Sequence, residues 1–455
     1  VLPTSLVHYE DYRPGAKRTA LADLADQLLA GEATAVGHAI LRNDPADFRA
    51  GQGPDGGMFV GDLDAIGDWV LHLDGSFVPI QGPPGTGKTF TAAHVIHGLV
   101  QAGQRVGVTA MSHHAIDNVM DAVVERFARD GDVLRAVRKA KEGPVESVEY
   151  VDDNARCATG AYDVIAGTSW LFASQAMRDR PVDVLLVDEA GQLGLADTLA
   201  ASISASDVVL LGDPQQLPQV AQASHPNRSG VSALEHVLGE DVRTIPPDRG
   251  VLLDVTWRMH PDVCAYISDV MYEGRLTSEE SCRRQTTSAG TGLRWLRAEH
   301  DGRSTESPEE AAIILDTITD LVGTDWTDQH GTTRPLTSDD FIVVAPYNDQ
   351  RRSITAALAR NPATAGVKVG TVDKFQGREA AVVLYSMTTS SAESMPRTAD
   401  FLFSKNRLNV AISRARCLAY IVCTEALLDS RARTVEEMKR ISALCSFVES
   451  SEALR

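Results

Sequence analysis

The sequence predicts two tandem α/β domains, each built on a mainly parallel sheet, with a small helical insertion in the first. Three observations carry this. Short apolar runs at 77–81, 105–109, 163–167, 183–188 and 207–211 alternate with helical patterns. Strand–helix–strand repetition of this kind buries a parallel sheet on both faces. A second series at 293–296, 341–345, 367–371, 381–385 and 418–423 follows the proline-rich "TIPPDRG". Finally, 455 residues exceed what a single core supports.

Taken in order, "AKRTALADLADQLLA" (16–30) spaces Leu21, Leu24, Leu28 and Leu29 along one face of an amphipathic helix, inside an N-terminal helical or accessory segment expected over 1–60. Glycines, prolines and aspartates over 43–62 read as a loop. The first α/β domain is expected over 61–247, its charged, helix-prone insertion falling at about 120–160. The second is expected over 248–455. There, "SPEEAAIILDTITDLV" offers Ser307 as N-cap, Pro308 in the first turn and Glu310 to close a capping box. Polar loops at 277–292, 323–340 and 386–400 separate the elements.

Hydrophobic residues make up 43% and charged residues 23%, an ordinary globular balance. No apolar run is long enough to span a bilayer, and no stretch resembles a secretion signal. Six scattered cysteines without a C-x-x-C pair argue against a disulfide framework or a zinc or iron–sulfur site, and suit free thiols in a reducing cytoplasm. The net charge of −19 argues against a protein that coats nucleic acid by general basicity. Any such binding should be local, through backbone amides and hydroxyls. The opening residue, Val1, suggests a piece of a longer protein.

"GPPGTGKT" is a full phosphate-binding loop: Gly82, Pro83, Pro84, Gly85, Thr86, Gly87, Lys88 and Thr89. Glycines let backbone amides converge on a nucleotide's phosphates, and the following helix adds its positive end. Lys88 should reach the β and γ phosphates of ATP, while Thr89 should hold Mg²⁺ through its hydroxyl. "VDVLLVDEAGQ" ends a buried strand in two carboxylates, Asp188 for the Mg²⁺ shell and Glu189 to polarise the attacking water. In "VVLLGDPQQLPQV" a further apolar strand leads to Gln216, placed to touch the γ phosphate or the water. Such a polar sensor suits a machine that reports its nucleotide state.

In order and spacing, "GPPGTGKT", "DEAGQ" and "GDPQQLP" resemble motifs I to III of superfamily 1 helicases, in the 5′-to-3′ branch that includes the nonsense-mediated-decay helicase. "TWRMHP" (256–261), "VVAPYNDQ" (343–350), "VGTVDKFQGRE" (369–379) and "NRLNVAISRAR" (406–416) resemble the remaining motifs. The resemblance covers residues 77 to about 425 and implies two RecA-like domains sandwiching one ATP. It implies Arg258 and Arg414 on the γ phosphate, with Arg407 and Arg416 as neighbours. Trp257 takes the place of an aromatic that stacks on adenine, Glu379 resembles a ribose-contacting glutamate, and Gln376 is expected to brace the motif. It also implies a nucleic-acid track lined by "TAMSHHAIDN", "AGTSW", "APYN" and "GTVDKFQG", with Ser112, His113, Thr168, Tyr347 and Thr371 as backbone contacts.

The expected activity is an ATP-dependent helicase or translocase moving 5′ to 3′ on single-stranded or tailed DNA, with RNA open, working as a monomer on its strand. A nucleic-acid-stimulated clamp that unwinds nothing uses the same motifs. Similar helicase modules are fused to RecB-like nucleases, so a nuclease domain in a parent polypeptide is a further expectation. No PD…(D/E)xK arrangement occurs in this chain. One departure stands out: the adenine-reading glutamine of the family should fall near Asp62 to Ile66, where there is none, and Gln52 is too remote to serve.

Overall fold

The computed structural model describes residues 15–32, 35–49, 51–219, 225–239, 242–375, 377–396 and 399–453. Gln376 lies outside them. The first sheet has eight strands: β1 Phe77–Gln81, β2 Val106–Thr109, β3 Ala136–Lys139, β4 Glu149–Val151, β5 Val164–Ala166, β6 Val182–Val187, β7 Ala205–Gly212 and β8 Val251–Leu252. Their order is β4-β3-β5-β2-β6-β7-β1-β8, and every pairing is parallel. The second sheet comprises β9 Gly292–Arg297, β10 Phe341–Val344, β11 Lys368–Gly370, β12 Ala380–Ser386 and β13 Ala415–Cys423. It runs β9-β13-β12-β10-β11, again all parallel.

Helices on both faces keep the central strands buried and largely apolar along most of their length. Because successive side chains point to opposite faces, each strand feeds two cores in alternation. Val78 and Ile80 of β1 join one core with Val184 and Leu186 of β6, while Phe77 and Leu185 join the other. In the second sheet Val383 and Tyr385 face one core, Val382 and Leu384 its counterpart. Parallel pairing also brings the C-terminal ends of β1, β6 and β7 to one edge, where ligands of such sheets bind.

Several expectations are corrected. Residues 120–160 are not a helical insertion: helix His113–Asp130 continues the regular alternation, and β3 and β4 then extend the first sheet. Arg138 makes this possible, its buried guanidinium held by Asp117 at 2.9 Å and His113 at 2.8 Å. Past the expected boundary at 247, β8 still pairs with β1, so the first sheet continues to Leu252. The N-terminal helix spans Gly15–Ala30, but only Ala20 and Leu24 are buried on it; Leu29 is 86% exposed. Leu24, Val36 and Ile40 pack into a core of the first sheet. Ser307 does cap helix Pro308–Leu321, accepting from the Glu310 amide at 3.1 Å. The Glu310 carboxylate, however, turns inward to His300 Nε2 (3.1 Å), Ser386 Oγ and the Thr388 amide, so no capping box closes.

All six cysteines are free thiols. Burial pushes those of Cys157, Cys264 and Cys282 up to about 11, which makes them poor nucleophiles. Among the described residues no helix is long and apolar enough to cross a membrane.

Candidate nucleotide and nucleic-acid site

The phosphate loop leaves β1 at Gln81 and enters helix Lys88–Gln101 through Gly87. Gly85 has φ 77°, a left-handed conformation suited to glycine. A Cβ there would also stand 2.6 Å from the Arg258 Cβ and 2.5 Å from Thr256 Oγ1. Close approach is therefore built in: the Trp257 amide donates to the Gly85 carbonyl at 2.8 Å, and Thr256 Oγ1 to the Pro84 carbonyl at 3.0 Å. The segment carrying Trp257 and Arg258 lies directly on the loop.

At the edge beyond β6, Asp188 is buried, and burial lifts its carboxyl to about 6 against the opposing pull of the Glu189 amide and Lys88. Glu189 has φ 52°, sparsely populated for a residue with a side chain, so its direction is set by the turn and not by preference. Lys88 Nζ donates to the Gly82 carbonyl. Burial pulls Lys88 down; Asp213, Asp188 and Glu189 oppose this and Arg258 adds to it. The Thr89 hydroxyl and Asp188 carboxylate are hard oxygen donors of the kind Mg²⁺ takes.

A cavity of about 360 Å³ gathers Lys88, Thr89, Gln216, Trp257, Arg258, Glu379 and Arg414 on its walls. Arg414 is 5% exposed, and its Nη1 donates to the Arg378 carbonyl at 3.2 Å. Its Nε is buried with no hydrogen-bond partner. Burial, reinforced by Arg258, pushes the guanidinium down to about 9, with Glu379 and Glu189 opposing. A buried cation this poorly compensated marks a place suited to an anion. Arg258 Nε donates to Glu379 Oε2 at 2.5 Å, and Arg416 Nε to Glu379 Oε1 at 2.9 Å. Burial alone would raise Glu379, but the two arginines outweigh it and hold the carboxyl below its usual range. Glu379 thus braces two arginines in addition to lining the cavity. Arg407 sits elsewhere, 3.6 Å from Asp373.

Beside the loop, an apolar cavity of about 570 Å³ is walled by Leu63, Phe90, Leu253, Val255 and Trp257, with Asp254 at its edge. Trp257 is 58% exposed and Phe90 50%, so neither is a core aromatic. Asp62, where the family's amide was sought, instead caps helix Leu63–Leu71 by accepting from the Ala65 amide at 2.9 Å.

Gln216 Nε2 donates to Asp213 Oδ2 at 3.0 Å, and Tyr272 Oη donates to the same oxygen at 2.6 Å. Asn409 Nδ2 bridges the Tyr272 hydroxyl and the Gln215 carbonyl, both at 2.9 Å. Asn406 Nδ2 reaches the Pro214 carbonyl at 3.0 Å. Sequence reasoning passed over Asp213, Tyr272, Asn406 and Asn409. Their signal was polar residues inside otherwise apolar runs, as in "NRLNVAIS".

Between the halves, a cavity of about 520 Å³ is lined by Ser112, His114 and Asn118 on one side and Asp373, Lys374 and Arg378 on the other. Ser112 is therefore on the cleft wall, capping helix His113–Asp130 through the Ala115 amide. His113 is not: its Nδ1 accepts from Arg138, and His114 takes the place expected for it. Thr168 follows β5 and Thr371 follows β11, both half-buried. Tyr347 is 7% exposed and stacks on Phe401 at 5.7 Å between ring centroids, a packed rather than an open position.

Residues 68–237 and 230–426 each match a family described as an AAA domain. The DNA replication ATP-dependent helicase/nuclease JHS1 of Arabidopsis thaliana is 26% identical over 369 residues, covering 74% of this chain and 26% of its own. The DNA-binding protein SMUBP-2 of Mesocricetus auratus is 25% identical over 429 residues, covering 78% of this chain and 42% of its own. A solved complex of Arterivirus nonstructural protein 10 (helicase) with DNA aligns at a TM-score of 0.42 and 15% identity, over 80% of this chain and 62% of that one. The chain thus spans less than half the length of the two curated relatives. Its two halves are matched in succession by the same kind of domain, and those relatives run through both, so the likeness extends over about three quarters of the chain and takes in every motif by which it resembles the superfamily 1 helicases.

Proposed function

We propose that this chain is an ATP-driven motor that tracks single-stranded DNA 5′ to 3′ and separates duplexes ahead of it. The observation that carries the reading is one cavity shared by Lys88 and Thr89 of the loop with Arg258 and Arg414 beyond it. In this reading the loop amides and Lys88 bind the phosphates, and Thr89 and Asp188 hold Mg²⁺. The metal, when bound, neutralises phosphate charge. Glu189 polarises the attacking water, and Gln216 senses the γ phosphate. Arg258 and Arg414 stabilise transition-state charge, an effect worth about 10³–10⁵ in rate. Because these arginines lie outside the loop's own unit, ATP draws the halves together and hydrolysis lets them part.

The base stacks in the apolar cavity between Phe90 and Trp257. The strand lies in the cleft of Ser112, His114, Lys374 and Arg378, gripped by its backbone without sequence reading. DNA is favoured because the relatives' names carry DNA, and the name helicase/nuclease of JHS1 supports a nuclease domain in a parent polypeptide. The motor works as a monomer on its strand in a reducing cytoplasm. A strand-displacement assay on 5′-tailed and 3′-tailed duplexes is the test. Unwinding of the 5′-tailed substrate is expected. DNA-stimulated ATP turnover with no displacement of either substrate would leave a clamp or remodeller instead.

A further inference from the structure

The apolar cavity beside the phosphate loop carries one polar side chain that the motor just described leaves unused. Leu63, Phe90 and Trp257 wall the cavity, and Thr86 and Gly87 join it to the loop. We propose that Asp254 selects the base by its hydrogen-bond donors, so that guanosine triphosphate fuels the motor and does so ahead of ATP.

The lining side chains make the first case. Those with polar atoms are Thr86, Thr91 and Asp254. Thr86 Oγ1 is taken up by the Pro83 carbonyl, to which it donates at 2.8 Å. The Thr91 hydroxyl can donate or accept, so it does not tell one base from another. Asp254 is exposed, and among the described residues its carboxylate has no hydrogen bond or ion pair. An ionised carboxylate only accepts, and among the described lining residues no asparagine or glutamine offers both roles.

Placement makes the second. The Thr277 and Glu279 amides donate to the carbonyls of Asp254 and Thr256 at 2.8 and 2.9 Å, so the chain runs extended through both. Side chains two apart on such a stretch face the same way. Thr256 reaches the Pro84 carbonyl, and Asp254 therefore turns toward the same unit. Its Oδ1 lies 3.6 Å from where a Cβ would stand on Gly61, a lining residue with no side chain to cover it.

Base chemistry makes the third. Guanine presents N1–H and the N2 amino group side by side, a match for two carboxylate oxygens. Adenine and cytosine each present a single amino group, and uracil presents N3–H between two carbonyls that a carboxylate repels. The expected order is GTP, then ATP, then CTP, with UTP last. Bidentate pairing of a side chain with a base edge separates bases by about 5- to 150-fold, and an exposed carboxylate belongs at the low end of that range.

The inference rests on the reading of this cavity as the base site, and the test keeps the two apart. Strand-stimulated hydrolysis by the full chain is measured with GTP, ITP, ATP, CTP, UTP and XTP, for the parent, Asp254→Ala and Asp254→Asn. In the parent, KM should be lowest for GTP, about fivefold below that for ATP. ITP, which lacks the N2 amino group, should lose most of that advantage. Asp254→Ala should bring GTP level with ATP. Asp254→Asn offers one acceptor and one donor, so it should lose GTP and gain XTP, whose base sets N1–H beside a C2 carbonyl. A parent that hydrolyses none of the six ends the motor reading itself. A parent that favours ATP, or treats all bases alike, overturns the guanine assignment and leaves the motor standing. A GTP preference that survives in both variants overturns the role of Asp254.

Discussion

Tyr272 Oη donates to Asp213 Oδ2 at 2.6 Å, joining a helix packed on the second sheet to the end of a strand of the first. Both side chains are buried, and Gln216 shares the same carboxylate oxygen at 3.0 Å. The position of the second half is thereby tied to the residue expected to sense the γ phosphate. Burial, with Asp213 adding to it, drives the Tyr272 phenol well above its ordinary value, so it stays a proton donor across the working range.

Tyr272→Phe should remove this tie while keeping the ring's packing. A hydrogen bond to a charged group is worth about 1.5–3 kcal/mol, and urea unfolding should show a loss of that order. The distinguishing readout is coupling: strand-stimulated ATP turnover should fall toward the unstimulated rate. An unchanged stimulation ratio alongside the expected stability loss would reduce Tyr272 to packing.

Why some of this was legible in the residues and some was not follows from how local each feature is. The phosphate loop and Asp188 are spelled out by contiguous runs, since a cradle and a strand end are local devices. Most strand ends match within a residue or two because a strand buried on both faces is an unbroken apolar run. Strand β3 escaped because Arg138 and Lys139 look solvated until Asp117 and His113, on another element, claim Arg138. Glu310 satisfied a capping pattern locally, yet His300 and Ser386 outcompete it from a distance. The choice between His113 and His114 is one residue of helical rotation, which depends on where the helix docks. The Tyr272–Asp213 pair spans two halves and has no local trace.

Arg414 should be the most costly arginine to lose. Arg414→Ala should lower kcat by about 10³–10⁵ if it stabilises transition-state charge. Nucleotide affinity, read by a fluorescent ATP analogue, should fall far less. Arg414→Lys should not rescue turnover, because an ammonium lacks the fork of a guanidinium. Equal losses in affinity and kcat would make it a binding residue only.

Glu189→Gln keeps the shape of the turn and removes the base. Turnover should fall by about 10²–10⁴ while ATP and strand binding persist, giving a complex that closes but does not hydrolyse. Lys88→Ala should instead weaken nucleotide binding. Retained strand-dependent turnover in either variant contradicts the assignment.

Trp257 tests the base cavity. Trp257→Ala should raise KM for ATP with kcat nearly intact; stacking worth about 0.5–1.5 kcal/mol corresponds to a rise of roughly two- to twelvefold. Trp257→Phe should restore most of it. A fall in kcat at unchanged KM would mean that Trp257 acts by positioning Arg258, its neighbour on the loop, and not by holding the base.

Glu379 supplies the pH test. Its carboxyl lies below its ordinary value of 4.5 in the folded chain, because Arg258 and Arg416 outweigh the effect of burial. A folded value below the unfolded one means that the unfolded chain binds the proton more readily. The clamp's contribution is therefore complete above about pH 4.5 and fades as pH falls through the lower, folded value. Glu379→Gln loses the charge at every pH. Thermal unfolding of parent and variant should differ most at neutral pH and converge in acid, with the variant's acid limb flatter. Because Arg258 is released as well, the variant should also lose turnover at pH 7 through misplacement of that guanidinium. Parallel acid limbs in the two proteins would show that the arginines are held by something other than Glu379.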